Sequence, residues 1–447
     1  MSAPAPTADR PGSAFFAPGV QVKRLGELQA GPQAGEDLPA DVAADIQQVE
    51  ITRVCNGASQ YSITLGNWYT STAADRRGPH HDGEREVRGR ETPEWPRFKY
   101  NDFALIAFGQ RLRIDLRYWP EQASSNGSPA GWVPMIAGPV TDMRFAFGSG
   151  ATVVVSGEDD LSKLKDRREG RHEFGARGER DLVTQVLSLA EFPLSSLATP
   201  RVEWPSFATE SDGPAEAIDD GQSYLEFLQR LADRLDLEVF VEFADLGNPD
   251  GGVELHVEPA RSAQPPDAQP GGVYVVERGK NLMSYTPTIK VVSQFSEVRV
   301  RGRNRDRENT DPIDARAEAD ALRDELHDRN PEAASAPDVR AHFFPDRPNP
   351  LVLPNQTNLD DERGRHLAAV TMRRGARELF AIEGKTIGLP RLRPGGYVEI
   401  RGLRPPFDGL FYVTRTVHAY GADGYTTSFS ARRPGMPLPP YPESAAT

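Results

Sequence analysis

One cysteine, Cys55, stands in a chain of 447 residues, which excludes an internal disulfide framework and any zinc site built on thiolates. Long apolar runs are missing too. No stretch of eighteen apolar residues occurs, so nothing in the sequence reads as a membrane-spanning helix. The opening MSAPAPTADRPGSAFFAPGV lacks the charged-then-apolar order of a secretory leader, and synthesis in the cytoplasm without a signal peptide is the expectation. Basic charge is short: 52 Lys and Arg face 65 Asp and Glu, a formal charge of −13. A duplex-binding protein needs a broad basic surface to displace phosphate counterions, so nucleic acid is not the expected partner. Catalytic signatures are absent as well: the sequence has no G-x-x-x-x-G-K-[ST], H-E-x-x-H or G-x-S-x-G, and no glycine fingerprint of a dinucleotide fold.

What is present is length, turns and alternation. The length predicts two to four domains, and 39 Pro and 40 Gly predict many turns. Residues 1–17 read as a mobile tail and 436–447 as a second one. From Ile46 strands follow one another, with Asn56-Gly57 as a hairpin turn before the alternating Tyr61, Ile63 and Leu65. RLRIDLRYW, WVPMIAGPVTDMRFAFG and ATVVVSGED continue the pattern. Residues 70–97 are polar and aperiodic, a long exposed loop. The middle is helical in part. Leu182, Val186 and Leu189 repeat at helical spacing, and Ser223 with Glu226 forms a capping box before Leu225, Phe227, Leu228, Leu231 and Leu235. LEVFVEF and VELHVEP then read as two strands. Residues 303–357 are a charged stretch with a solvated helix predicted around Ala315–Leu326; Asn358 or Asp360 caps a further helix carrying Leu367, Val370 and Leu379. ELFAIEGKTIG, YVEIRGL, GLFYVTRTVHAYG and YTTSFSARR are strand-like.

Local candidates for chemistry are weak. His80, His81 and Asp82 are the one cluster of ligand types, but adjacent side chains in a loop seldom converge on one ion. Asp245, Asn248, Asp250 and Gly251 look like an acidic turn. A calcium loop needs a carboxylate at its twelfth position, which is His256. Lys163–Arg180 is locally basic with acidic residues mixed in, and reads as a solvated or partner-facing loop. Trp68, Trp95, Trp119, Trp132 and Trp204 read as anchors at strand ends rather than a sugar platform. Cys55 has no basic neighbour in sequence to activate it. The carboxylates are too many for a glycosidase pair to be singled out. No catalytic, cofactor-binding or metal residue is predicted, and no cofactor.

A repeat organises the remainder. RLRIDLRYW, a loop, and GPVTDMRFAFGSGATVVVSGED resemble YVEIRGL, a loop, and FYVTRTVHAYGADGYTTSFSARR. Val140-Thr141 aligns with Val413-Thr414 and Gly148 with Gly421, at one offset of 273 residues. Phe145 and Phe147 then align with His418 and Tyr420, and Gly150 with Gly424 after a one-residue slip. The expected fold class is therefore β-rich α+β. Two related β-barrels, residues 18–158 and 288–435, the second with a helical insertion, are separated by an α/β insert at 159–287.

These segments, with VEITRV and SQYSITLGNWY early, VVVSGED, DGQSYLEFLQRLADRLDLEVFVE and VRVRGRNRD, resemble the phage late-control D family. Its members are baseplate hubs of contractile tails and contractile injection systems, similar to the hub portion of the valine-glycine repeat spike proteins of type VI secretion. The resemblance covers about residues 18–435 and is one of pattern and order. It implies a homotrimer whose six barrels form a ring between a six-fold inner tube or tube initiator and a three-fold spike, in contact with baseplate wedge components. Nothing after residue 435 reads as a fused needle, so the spike is expected to be a separate polypeptide. Two other readings stay open on sequence: a β-rich cell-wall or glycan hydrolase, and a carbohydrate-binding tail protein.

Overall fold

The computed structural model describes residues 17–28, 34–68, 98–119, 132–148, 150–165, 170–175, 178–192, 208, 216–246, 249–259, 273–303, 313–318, 333–357 and 359–438. The first third holds β1 (Ala17–Leu25), β2 (Glu36–Asp37), a short helix α1 (Ala40–Ala44), β3 (Ile46–Val54), β4 (Gln60–Gly66), β5 (Arg111–Trp119), β6 (Val133–Ala146) and β7 (Thr152–Glu158). The middle follows with β8 (His172–Phe174), α2 (Glu179–Leu189), β9 (Glu216–Ile218), α3 (Tyr224–Leu235), β10 (Leu237–Phe243) and β11 (Val253–Pro259). The last part runs through β12 (Val273–Glu277), β13 (Leu282–Ile289), β14 (Glu297–Arg303), β15 (Ile313–Glu318), β16 (Ala333–Ser335), α4 (Ala336–Phe343) and β17 (Pro350–Thr357). It ends in α5 (Asp361–Arg377), β18 (Phe380–Ile387), β19 (Tyr397–Arg401), β20 (Gly409–Gly421), β21 (Gly424–Arg433) and β22 (Gly435–Pro437).

Local chemistry accounts for these elements. In α3 the Ser223 side chain accepts from the Glu226 amide while the Glu226 carboxylate accepts from the Ser223 amide, satisfying two orphan donors at once. One face of that helix, Leu225, Phe227, Leu228, Leu231 and Leu235, enters a core shared with α2 and the β10–β11 hairpin. Asp360 caps α5 by accepting from the Arg363 amide. Gly57 holds φ +115°, open to glycine alone without strain, and turns β3 into β4. Where a helix is expected around Ala315–Leu326, the described part is a strand: Ile313–Glu318 has Ile313, Ala315 and Ala317 inward and Asp314, Arg316 and Glu318 outward. Its remainder, 319–326, lies outside the described residues.

Thirteen strands share one sheet, and its strand order states the repeat. In the first part the pairing order is β3-β4-β7-β6-β5-β1; in the last it is β13-β18-β21-β20-β19-β12. Numbered by appearance, the two six-strand paths are the same. The irregularities agree as well. The β6–β7 ladder slips between Val140 and Asp142, and the β20–β21 ladder slips between Val413 and Arg415, so the aligned Thr141 and Thr414 are both bulged. Thr141 Oγ1 donates to the Ser156 carbonyl and Thr414 Oγ1 to that of Ser430. Gly109 and Gln110 exchange backbone hydrogen bonds with Val140 as Gly395 and Gly396 do with Val413. A second slip, between Ile46 and Gln48 of β3, recurs between Leu282 and Ser284 of β13. One difference stands: β1 pairs β5 antiparallel, whereas β12 pairs β19 parallel.

The closed barrels expected from the sequence are not formed among the described residues. The cause lies in the two longest strands. β6 gives its edge up to Pro139 to β5 and β20 gives its edge up to Tyr412 to β19, and beyond the bulge each edge leaves its first partner. From Arg415 to Tyr420 the freed edge of β20 pairs with β3 (Val54 to Val49) and thereby joins the two halves into one sheet. Each half keeps its own apolar core, with Ile51, Ile63, Leu112 and Val153 in one and Val298, Phe380, Val398 and Phe411 in the other.

Candidate assembly surface

Where the halves meet, two buried arginines converge on Glu242 of β10. Glu242 accepts from Arg53 of β3 at 2.8 Å and from Arg393, which also donates to the Pro134 carbonyl of β6. First half, middle hairpin and second half thus meet in one ion cluster. Burial alone would raise the Glu242 carboxyl, but the charges of Arg393 and Arg53 outweigh it and hold it down at about 2. Four residues earlier on the same strand, Glu238 accepts from Tyr412 Oη at 2.5 Å and from Cys55 Sγ at 3.3 Å. The middle is held to α5 by a further row: Arg377 donates to both oxygens of Asp236 at 2.6 Å, Arg374 bonds Asp233, and Arg363 bonds Glu179. These pairs fix how the parts sit.

Reactive chemistry is not offered by the same groups. Burial and the Glu238 charge push the Cys55 thiol well up, away from the thiolate. Burial pushes His418 down to about 3, so its imidazole is neutral, with Nδ1 2.8 Å from Tyr425 Oη. Among the described residues no group of three or more His, Cys, Asp or Glu is placed to hold a metal ion, and no helix is long and apolar enough to cross a membrane.

Asp159, buried where β7 ends, receives the Ser59 amide at 2.8 Å and the Leu161 amide at 3.1 Å. Burial, aided by the charge of Asp160, outweighs those bonds and raises its carboxyl to about 7. A folded-state value above the unfolded 3.8 makes the folded chain hold the proton longer. The stability from this group is complete below about pH 4 and is lost as pH rises through 7. Comparing urea unfolding at pH 5 and pH 8.5, the wild type should lose more stability than Asp159→Asn, by roughly 1.4 kcal/mol per unit of pKa difference traversed. Equal losses in both proteins would refute the assignment.

Several strand edges have no partner among the described residues, the part of β6 beyond its bulge and β13 among them. The β6 segment is exposed at Thr141, Asp142, Arg144 and Ala146, with exposed Phe147 just past its end; β13 is exposed at Met283, Ser284, Thr286 and Thr288. Beside the first lies an aromatic group. Phe147 stands 4.8 Å from Phe98 and 6.1 Å from Phe145, Phe145 stands 6.1 Å from Phe103, and Phe103 stands 5.5 Å from Phe108. Phe147 is 60% exposed. Contiguous exposed aromatics and unpaired ladder groups mark contact surfaces.

The residues weighed on sequence fall elsewhere. His80, His81, Asp82, Trp95 and Trp204 lie outside the described residues. Asp250 sits in a turn and accepts from Arg113 at 2.7 Å. From the basic stretch, Lys165 bonds Glu158 and Lys163 bonds the Glu191 carbonyl. Trp132 stacks under Arg117 at 4.3 Å, and Trp68 stands 5.4 Å from Phe98. Sequence reasoning missed the cluster of Arg53, Glu242 and Arg393; no local signal marks residues so far apart.

No family model and no curated protein matches the sequence. Solved structures do. The 43 kDa tail protein of prophage MuSo2 from Shewanella oneidensis is 14% identical, with TM-score 0.54 over 94% of this chain and 99% of that one. A tail protein from Neisseria meningitidis is 12% identical, with TM-score 0.54 over 94% and 97%. The chain has the fold of these tail proteins. An Escherichia coli protein, described as a component of the type VI secretion system with structural similarity to T4 bacteriophage tail proteins, is 10% identical at TM-score 0.51, over 94% and 80%. The resemblance read from the sequence and the fold neighbours therefore point to the same group of tail and secretion-system proteins, and the β-rich fold class holds.

Proposed function

We propose that the chain is a structural baseplate hub of a phage tail or contractile injection system. Three copies form a ring that adapts a six-fold inner tube to a three-fold spike, and the chain acts without catalysing a reaction. The observation that supports this reading above others is the doubled strand path with its matched bulges. A three-fold ring offers six near-equivalent surfaces only if each copy supplies two of them. In the assembled ring the two six-strand paths, β1 to β7 and β12 to β21, supply the six barrel-like lobes, closure coming from neighbours rather than within each half. The segment between them, α2 to β11, faces the wedge components, and the particle carrying the hub is tail-like.

The test is mass measurement and electron microscopy of the purified chain. A ring of three copies with six lobes is the expected result. A monomer at every concentration, with no tail-associated density in the native particle, would overturn the proposal. Fold neighbours that are tail proteins at 14% identity or less supply the fold in this argument, not the role.

A further inference from the structure

The joint between the halves contains the geometry of a second joint. Within the chain, the freed edge of β20 pairs with β3 in the register Arg415↔Val54, Thr416↔Arg53, Val417↔Thr52, His418↔Ile51, Ala419↔Glu50, Tyr420↔Val49. The equivalent of that part of β20 is β6 beyond Thr141, and the equivalent of β3 is β13. Neither edge has a partner strand among the described residues.

We infer that these two edges pair with each other between copies: Asp142–Phe147 of one chain forms an antiparallel ladder with Lys290–Tyr285 of the next. This rests on the assembly reading above and names its seam. The matched bulges fix the equivalence residue by residue. On β6 the offset of 273 converts Arg415–Tyr420 into Asp142–Phe147, and on β13 the shared slip at Ile46/Gln48 and Leu282/Ser284 converts Val49–Val54 into Tyr285–Lys290. The register that results is Asp142↔Lys290, Met143↔Ile289, Arg144↔Thr288, Phe145↔Pro287, Ala146↔Thr286 and Phe147↔Tyr285.

Three features agree with it. Burial along the free edges keeps the alternation of the covered ones, shifted toward solvent. Thr416 and His418 are buried where Met143 and Phe145 are half-buried; Val49, Ile51 and Arg53 are buried where Tyr285, Pro287 and Ile289 are half-buried. A missing neighbouring strand produces that pattern. The pairs themselves are complementary, since a carboxylate meets an ammonium at one end and apolar or aromatic side chains meet on one face. Tyr420, the equivalent of Phe147, packs against the first half's core, so the exposed Phe147 has a counterpart seat in the neighbour's second half. Pro287 is the one exception: the Lys290 amide donates to Leu379 of β18, so by strand alternation the Pro287 nitrogen faces the open edge, and the ladder forms without a hydrogen bond to the Phe145 carbonyl there. The joint is head-to-tail, which gives a ring when the rotation closes.

Disulfide trapping tests the register in the full chain, with Cys55 left in place because it is buried. Met143→Cys with Ile289→Cys, and Arg144→Cys with Thr288→Cys, cover both spacings of an antiparallel ladder, of which the closer cross-links better. Met143→Cys with Thr286→Cys, three residues out of register and roughly 10 Å away, is the control. On oxidation, at least one in-register pair should give covalent multimers on a non-reducing gel, with the control about tenfold weaker. Multimers by mass measurement without in-register cross-links, or equal cross-linking of the control, would overturn the seam and leave the hub reading standing. A chain that stays monomeric would remove both.

Discussion

Glu242→Ala is expected to destabilise the chain by about 3–5 kcal/mol, the usual cost of removing one member of a buried ion cluster. The substitution leaves Arg53 and Arg393 buried, with side-chain exposures of 6% and 4%, and without their shared carboxylate. Two guanidinium charges then face each other in a space too small to hydrate them fully. Arg393 also holds the Pro134 carbonyl of β6, so the damage reaches the first half as well as the hairpin. Glu399→Ala is the comparison: Glu399 pairs with Arg401 on the surface of β19, and such pairs contribute between nothing and about 1 kcal/mol. Urea unfolding of the two variants measures the contrast. A loss under about 1 kcal/mol for Glu242→Ala would mean the cluster rearranges instead of holding the parts.

The same cluster has an acid limb with a definite sign. The folded Glu242 carboxyl is held at about 2, below its ordinary 4.5. Its contribution is therefore complete above about pH 4.5 and is lost as pH falls through 2. Glu242→Gln should flatten the stability curve over that window, which separates a charge effect from a packing effect.

Most of the strands and the repeat were legible because they rest on local chemistry. Alternation in Tyr61, Ile63 and Leu65, the Ser223–Glu226 capping box, and the paired Val-Thr dipeptides needed only near neighbours. The misread segment shows the limit. Ile313, Ala315 and Ala317 alternate with Asp314, Arg316 and Glu318, a period of two, but Ala, Arg and Glu are strong helix formers and hid it. Tertiary pairing decided against propensity, because β14 offers this segment a ladder from Glu297 to Gly302. Closure was the second miss. A repeat predicts that two halves are alike, but not whether each sheet closes on itself. That depends on where β6 and β20 leave their first partners, and the leaving point is a bulge set by one residue. The ion cluster was invisible for a third reason: Arg53, Glu242 and Arg393 are well over a hundred residues apart from one another, and the sequence is rich in both charges.

Gly138→Ala is expected to be the most damaging single methyl in the first half. A Cβ at Gly138 would lie 1.9 Å from the Glu158 carbonyl oxygen and 2.8 Å from the Asp159 backbone. Neither side can yield cheaply. Gly138 is paired with Leu112 in the β5–β6 ladder, and Glu158 with Gln60 in the β4–β7 ladder. Asp159 is anchored by the Ser59 and Leu161 amides, and Tyr61 Oη donates to the Gly138 carbonyl itself. Ordinary overpacking costs about 1–3 kcal/mol because side chains shift. Here backbone must separate from backbone, and a loss above about 4 kcal/mol is expected, with little soluble protein at 37 °C. Gly148→Ala is the matched control, since a Cβ there meets nothing within 4 Å and the change should fall within about 0.5 kcal/mol of wild type. Thermal unfolding of both variants checks the pair. Near-equal melting points would show that β6 and β7 slide apart freely at this crossing, and the shared bulge at Thr141 would then be a loose hinge rather than a fixed corner.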